Sequence, residues 1–343
     1  METLGTKRQS TAEEKMATAE HAYFHKELQN RRERLVSATR ESAADSSLRQ
    51  LLASVDDALS RLHGGTFGIC EECHDSIEAE RLLCDPLLRF CIDHLSAQEQ
   101  RALEEDLTLA AKIQRALLPR TNWSADGWQA RYHYEPASLV SGDYCDLIES
   151  DGAFLFLLGD VAGKGVAASM LMSHLHATFR TLAGQNLPLQ ELVAHANRLF
   201  CDSTTAGQYA TLVVGRAWPD GRVEYVSAGH LPILHVSKAG VSPREATGVP
   251  LGMFGTTNFP ACELKMAPED RLFLYTDGLT EIFNAAGDEY GTRRVNVLAA
   301  RHAAASLEKM LSACLDEIHS FSAGAKHSDD LTLLVLRHAT AAV

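Results

Sequence analysis

Hydrophobic positions over the first 63 residues recur at helical spacing. Leu48, Leu52, Val55, Leu59 and Leu62 fall at i, i+4, i+7, i+11 and i+14, one stripe on a helix surface. Such a stripe needs a partner helix, which the segment around residues 18–42 can supply, and Gly64-Gly65 ends the pattern. A compact cysteine-bearing stretch fills residues 66–94. Helical spacing then resumes in LSAQEQRALEEDLTLAAKIQRALLPR, where Leu103, Leu107, Ala110 and Leu117 keep a heptad-like interval interrupted by Gln114. This connector either pairs in a dimer or packs on its own domain.

From residue 120 the texture changes to short β-type runs, FLFLLGDV, ATLVVGRAW, RVEYVSAG, RLFLYTDG and LTLLVLRH, separated by Gly, Pro and Asp. Helical patterns lie between them at residues 165–183, 189–202 and 305–320. The runs at 210–218 and 222–227 are joined by Pro-Asp-Gly, the turn of a hairpin. The pattern divides the chain into a helical segment (1–63), a cysteine-bearing unit (64–97), a linker helix (98–118) and one domain of mixed helix and strand (119–343).

The 343 residues, 45% of them hydrophobic, can build about two domains with full cores. No run of roughly 18 apolar residues is present, and METLGTKRQSTAEEK lacks a signal-peptide core, so a cytoplasmic protein with no membrane contact is expected. The net charge of −13, with eleven acidic against three basic side chains between residues 70 and 106, argues against direct nucleic-acid binding. The eight cysteines are too few and too uneven for a disulfide framework.

Cys70, Cys73, Cys91 and His94 form C-E-E-C, 17 intervening residues and C-I-D-H, two chelating turns whose thiolate and imidazole donors suit tetrahedral Zn²⁺. Four ligands leave no vacant position, so the zinc is expected to be structural. Cys84 lies mid-loop outside both turns and reads as a small hydrophobe. GTFGICEECHDSIEAERLLCDPLLRFCIDH resembles the zinc finger of DksA/TraR-type proteins, with His94 where those relatives usually carry a fourth Cys. The resemblance implies a protein contact for the finger, with RNA polymerase as the family's partner.

Four carboxylate stretches recur in the last domain: SGDYCD with Asp143, GDVAGKG with Asp160, YTDG with Asp277, and SDDLT with Asp329 and Asp330. If they converge, like charges a few ångströms apart need cations, and hard divalent ions such as Mg²⁺ or Mn²⁺ answer that need. GDVAGKG is no nucleotide loop, since a Walker motif requires G-x-x-x-x-G-K and then Ser or Thr.

AAKIQRALLPR, EPASLVSGDYCDL, GDVAGKGVAASMLM, VSAGHLPILHV, GVPLGMF, LYTDGLTEIFN and DDLTLLVL resemble, in order and spacing, the PPM metal-dependent serine/threonine phosphatases of the SpoIIE/RsbU branch. The resemblance implies an α+β fold, an α/β/β/α sandwich of two central antiparallel sheets flanked by helices, behind an N-terminal helical and zinc-finger module. It also implies two Mn²⁺ or Mg²⁺ ions. Asp160 would bridge them, the Val161 carbonyl would join one, Asp143 would serve the first, and Asp277 and Asp329 the second, with Asp330 a secondary candidate. Asp143 and Asp160 are then the catalytic residues, and Gly142, Gly163, Gly165 and Gly278 serve backbone geometry.

The implied reaction is hydrolysis of a phosphoserine or phosphothreonine monoester by in-line attack of water. Relatives with a general-acid His two residues after the bridging Asp differ from this chain, which has Ala162 there. His230 and His327 are candidates to replace it, and Lys164 to attract phosphate. Family partners are phosphorylated STAS-domain regulators, with activation by homodimerisation through the preceding helix. A competing reading is a DksA-like modulator bound to RNA polymerase, the phosphatase fold serving as a non-catalytic scaffold.

Overall fold

The structure, a computed structural model, describes residues 6–41, 46–95, 97–150, 152–205, 207–323 and 329–339. The side chains of residues 6–22, 41, 80, 84, 97 and 98 lie outside that description. Two compact units, Met1–Glu105 and Asp106–Val343, make up the chain.

In the first unit α1 (Thr6–Glu41) and α2 (Ser46–His63) pack as an antiparallel pair. Arg32 meets Asp56 at 2.6 Å near one end and the His25 and His63 rings lie 5.4 Å apart near the other. Leu28 and Leu35 of α1 bury against Val55, Ala58, Leu59 and Leu62 of α2, so the stripe at helical spacing becomes a two-helix core. Beyond the Gly64-Gly65 stop, a short loop carries Cys70 and Cys73. Then α3 (Ala79–Cys84) and a single 3₁₀ turn at Ile92–His94 follow. The sequence places Cys84 mid-loop, whereas its backbone ends α3: Ala79, Glu80, Arg81 and the two leucines are strong helix formers. The linker helix α4 (Ala97–Leu117) runs across the boundary of the two units.

The second unit contains β1 (Trp123–Ala125), β2 (Trp128–Glu135), β3 (Asp143–Ser150), β4 (Ala153–Val161), α5 (Gly165–Ala183), α6 (Leu189–Ser203), β5 (Ala210–Ala217), β6 (Arg222–Ala228), β7 (Ile233–Ser237) and β8 (Gly240–Arg244). It continues through β9 (Cys262–Lys265), β10 (Arg271–Tyr275), α7 (Asp277–Thr280), α8 (Gly291–Arg301), α9 (Leu307–Phe321) and β11 (Leu331–His338). One sheet has the order β1-β2-β11-β10-β7-β8, the other β3-β4-β5-β6-β9, and every pairing within them is antiparallel.

Period-two alternation explains how the sheets are covered on both faces. In β4, Phe154, Phe156 and Leu158 point into the core between the sheets, where they join Leu272 and Leu274 of β10 and Leu334 and Leu336 of β11. The intervening Leu155, Leu157 and Val161 face α5 and α6, burying Met172, Phe179, Leu192 and Phe200. On the other sheet Phe273, Tyr275, Leu333 and Val335 face α8 and α9. The result is an α/β/β/α sandwich with strands buried on both sides, hence their near-continuous apolar runs. Among the described residues no helix is long and apolar enough to cross a membrane.

Candidate active site and metal centre

Adjacent antiparallel strands set Asp143, first residue of β3, directly opposite Asp160 near the end of β4. Asp143 is fully buried. Its Oδ2 accepts hydroxyl bonds from Thr332 of β11 at 2.5 Å and from Thr276 at the end of β10 at 3.0 Å, so one sheet orients an acid that the other delivers. Its Oδ1 has no hydrogen-bond donor among the described residues. Burial pushes the Asp143 carboxyl well above the carboxylate range, and the Asp160 charge adds to the effect.

Asp160 is pushed up to about 8, first by burial and then by the charges of Asp277, Asp329 and Asp330; Lys164 opposes the rise. Asp277, at the start of α7, rises to about 6 through burial and then Asp329 and Glu281. All five acids singled out in the sequence therefore meet at one edge of the sandwich. Gly142 fits closely there: a Cβ on it would stand 2.9 Å from the Val161 carbonyl oxygen and 3.5 Å from Asp160 Oδ1. Gly278 is tighter still, since its Cβ would lie 1.9 Å from the Asp330 carbonyl oxygen.

Asp330 and Asp329 differ in their engagements. Asp330 Oδ1 accepts the Ala137 N–H at 2.8 Å and Oδ2 the Gly142 N–H at 2.9 Å. Among the described residues, Asp329 Oδ1 accepts the N–H of Asp330, and its Oδ2 pairs with Lys164 Nζ at 2.9 Å. Lys164 thus puts an ammonium on the edge of the acid cluster, which raises its own pKa. Asp146, the second acid of SGDYCD, turns away from the cluster and holds Arg180 of α5 through two bonds of 2.9 and 2.6 Å.

Sequence reasoning missed the residues that hold Asp143. Thr276 and Thr332 stand in the YTDG and DDLT stretches themselves, so a hydroxyl beside each acid was the available signal. Gln114 of α4 is buried, donates to the Ser141 carbonyl at 2.7 Å and accepts the Ser141 N–H at 3.0 Å, while Ser141 Oγ accepts the Asp143 N–H. The polar break in the heptad-like pattern is therefore a two-bond clamp on the loop before β3. His230 is buried, with Nδ1 2.8 Å from Thr211 Oγ1, and burial drives its pKa down to about 4. A ring neutral at pH 7 and enclosed by protein holds its loop and is no source of a proton for a leaving group. His327 lies outside the described residues.

In the first unit the metal-ligating atoms of Cys70, Cys73, Cys91 and His94 all lie within 4.8 Å of one another. Cys73 Sγ is 3.7 Å from Cys91 Sγ, and Cys91 Sγ is 3.2 Å from His94 Nδ1. Burial acts to raise the Cys70 thiol, but backbone N–H groups of Cys73, Cys91 and Glu72 outweigh it and bring the pKa to about 6. Arg89 braces the two turns by a bidentate pair with Glu71, both bonds 2.6 Å. Buried Ile77 and Leu82 are the only large aliphatics fully enclosed with the cysteines among the described residues, a core too small to fix the loop alone.

Residues 150–339 match the sequence family described as Stage II sporulation protein E (SpoIIE), more than half of the chain. Among curated proteins the chain is similar to Protein IcfG of Synechocystis sp. (27% identical over 261 residues, 67% of this chain and 41% of that one). It is also similar to Phosphoserine phosphatase RsbP of Bacillus subtilis (31% over 191 residues, 52% and 46%). The chain thus spans less than half the length of these two relatives. Its fold is similar to that of the SiaA-PP2C domain of Pseudomonas aeruginosa, with a TM-score of 0.62 at 19% identity over 71% of this chain and 99% of that one.

Proposed function

Because the chain belongs to the SpoIIE family, we propose that it is a protein serine/threonine phosphatase that hydrolyses phosphoserine or phosphothreonine on a regulatory protein. The observation that carries this reading is the meeting of Asp143 and Asp160 from one sheet with Asp277 and Asp329 from the other, in a setting that raises Asp160 to about 8. Such a set fits divalent cations: a buried Asp143 Oδ1 lacks a donor, and Gly142 leaves open the space before the Val161 carbonyl and Asp160 Oδ1. Asp160 would hold two ions, Asp143 and the Val161 carbonyl one, and Asp277 and Asp329 the other, with Asp330 holding the loop through its two N–H bonds. Two Mn²⁺ or Mg²⁺ ions there would supply an acidified water and neutralisation of phosphoryl charge.

The chain's own residues supply orientation and charge. Thr332 and Thr276 fix Asp143 Oδ2, leaving Oδ1 for its ligand. Lys164 brings an ammonium beside Asp329, suited to attract a phosphate dianion and to exchange partners when it arrives. With Ala162 after Val161 and His230 neutral and buried, the proton for the leaving serine oxygen comes from water or from a group other than these two.

By analogy with Phosphoserine phosphatase RsbP, the substrate carries phosphoserine, and from the resemblance to the SpoIIE/RsbU branch we assign it to the STAS-domain class of partner-switching regulators. Leu109 and Ile113 are exposed one turn apart on α4, which supports a homodimer joined along that helix. The cluster of Cys70, Cys73, Cys91 and His94 would hold one structural Zn²⁺.

The test is phosphate release from a phosphoserine-bearing STAS protein with Mn²⁺. Wild type is expected to turn over and Asp160→Asn to lose metal-dependent release. Absence of metal-dependent release from every phosphoserine protein tried would overturn the phosphatase reading.

A further inference from the structure

A cleft of about 400 Å³ opens between the β7–β8 hairpin, the start of β10 and the C-terminal end of α8. Val236 and Arg271 form its buried floor, and Lys238, Glu269 and Ala304 stand at its exposed rim. Arg271 is 2% exposed and sits in the sheet between Val236 of β7 and Arg337 of β11. Its Nη2 donates to the Ala305 carbonyl at 2.5 Å, while Nε and Nη1 have no hydrogen-bond partner among the described residues.

The neighbouring carboxylates are engaged elsewhere. Glu269 Oε2 accepts from Arg337 Nη1 at 3.2 Å, and Asp270 Oδ2 accepts from His235 Nε2 at 3.1 Å and from the Ala267 N–H at 3.0 Å. Burial and then the charge of Arg337 hold the Arg271 guanidinium below its usual pKa. Glu269 attracts the Arg271 guanidinium from the exposed rim, where it is also paired with Arg337, and unmatched buried donors remain costly. Of the charged residues that line the cleft, Lys238 and Arg271 are basic and Glu269 is acidic, a surplus of one positive charge.

We propose that this cleft binds a small monocarboxylate through Arg271, at a site separate from the acid cluster. A carboxylate oxygen supplies an acceptor for a guanidinium N–H that has none. The apolar wall of Val236, Ala300, Ala303 and Ala304 fits a short hydrocarbon body, and Glu269 at the rim disfavours a second negative charge. Arg271 begins β10 and Asp277 follows its end, so five strand residues, roughly 16 Å, separate the cleft from the acids. The ligand is an effector and not a substrate.

Thermal unfolding of the full chain in sodium butyrate tests this, with sodium chloride at matched ionic strength and 1-butanol as controls. Once butyrate exceeds its dissociation constant about tenfold, the midpoint of the wild type is expected to rise by about 3 °C. Arg271→Met is expected to abolish the rise. Ala304→Leu, which narrows the mouth and keeps the guanidinium, is expected to abolish it too and serves if Arg271→Met fails to fold. No rise in wild type, an equal rise with butanol, or a rise that survives the substitutions would overturn the proposal.

Discussion

The carboxyl of Asp143 is held by two hydroxyls on one oxygen and by nothing on the other, and the asymmetry matters more than the burial. An oriented ligand keeps its free lone pairs aimed at one place, and loss of such a partner typically lowers metal affinity or activity. Thr332→Val is therefore expected to reduce Mn²⁺ affinity or phosphate release about tenfold or more, measured by metal titration of activity. His230 makes a different prediction. Its folded pKa of about 4 lies below the usual 6.5, so between these values the unfolded chain binds more protons and stability falls as pH drops from about 6.5 to about 4. The full effect is on the order of 3 kcal/mol, and His230→Gln is expected to flatten that acid limb in denaturant melts against pH.

Among the elements, α4 shows what a sequence pattern conveys and what it hides. The spacing of Leu103, Leu107, Ala110 and Leu117 announced a helix, but periodicity cannot say that Gln114 reaches Ser141, because that bond joins residues 27 apart through tertiary packing. The strands were legible for the opposite reason: residues buried on both faces give unbroken apolar runs such as FLFLLGDV, and the sandwich followed from them with the resemblance. The acids could be read individually from their places at the ends of such runs. Their engagements could not, since it is the fold that brings N–H groups to both oxygens of Asp330 and leaves Asp329 to Lys164. Gln114→Ala removes both bonds of the clamp and strands Ser141, at an expected cost of about 1–3 kcal/mol in denaturant unfolding. If α4 communicates with the acids through this clamp, the same variant shifts the metal concentration for half-maximal activity, and Gln114→Glu, which still accepts the Ser141 N–H, shifts it less.

At the scale of the whole molecule, two units rest on different physics. The second has a large apolar core in three layers; the first, around its cysteines, has very little. Bound zinc is therefore expected at one ion per chain by native mass spectrometry, and Cys91→Ser is expected to lose it and to expose the loop of residues 64–95 to protease. The acid cluster has its own large-scale property. Asp143 and the Thr332 that orients it are 189 residues apart, and β11 lies in the middle of its sheet between β2 and β10. A chain growing from the ribosome therefore carries every acid but the last pair, and no formed site, until that final strand has emerged and slotted into place. Assembly of the acid cluster is thus tied to the docking of β11, and a chain cut before Asp329 is expected to show no metal-dependent phosphate release.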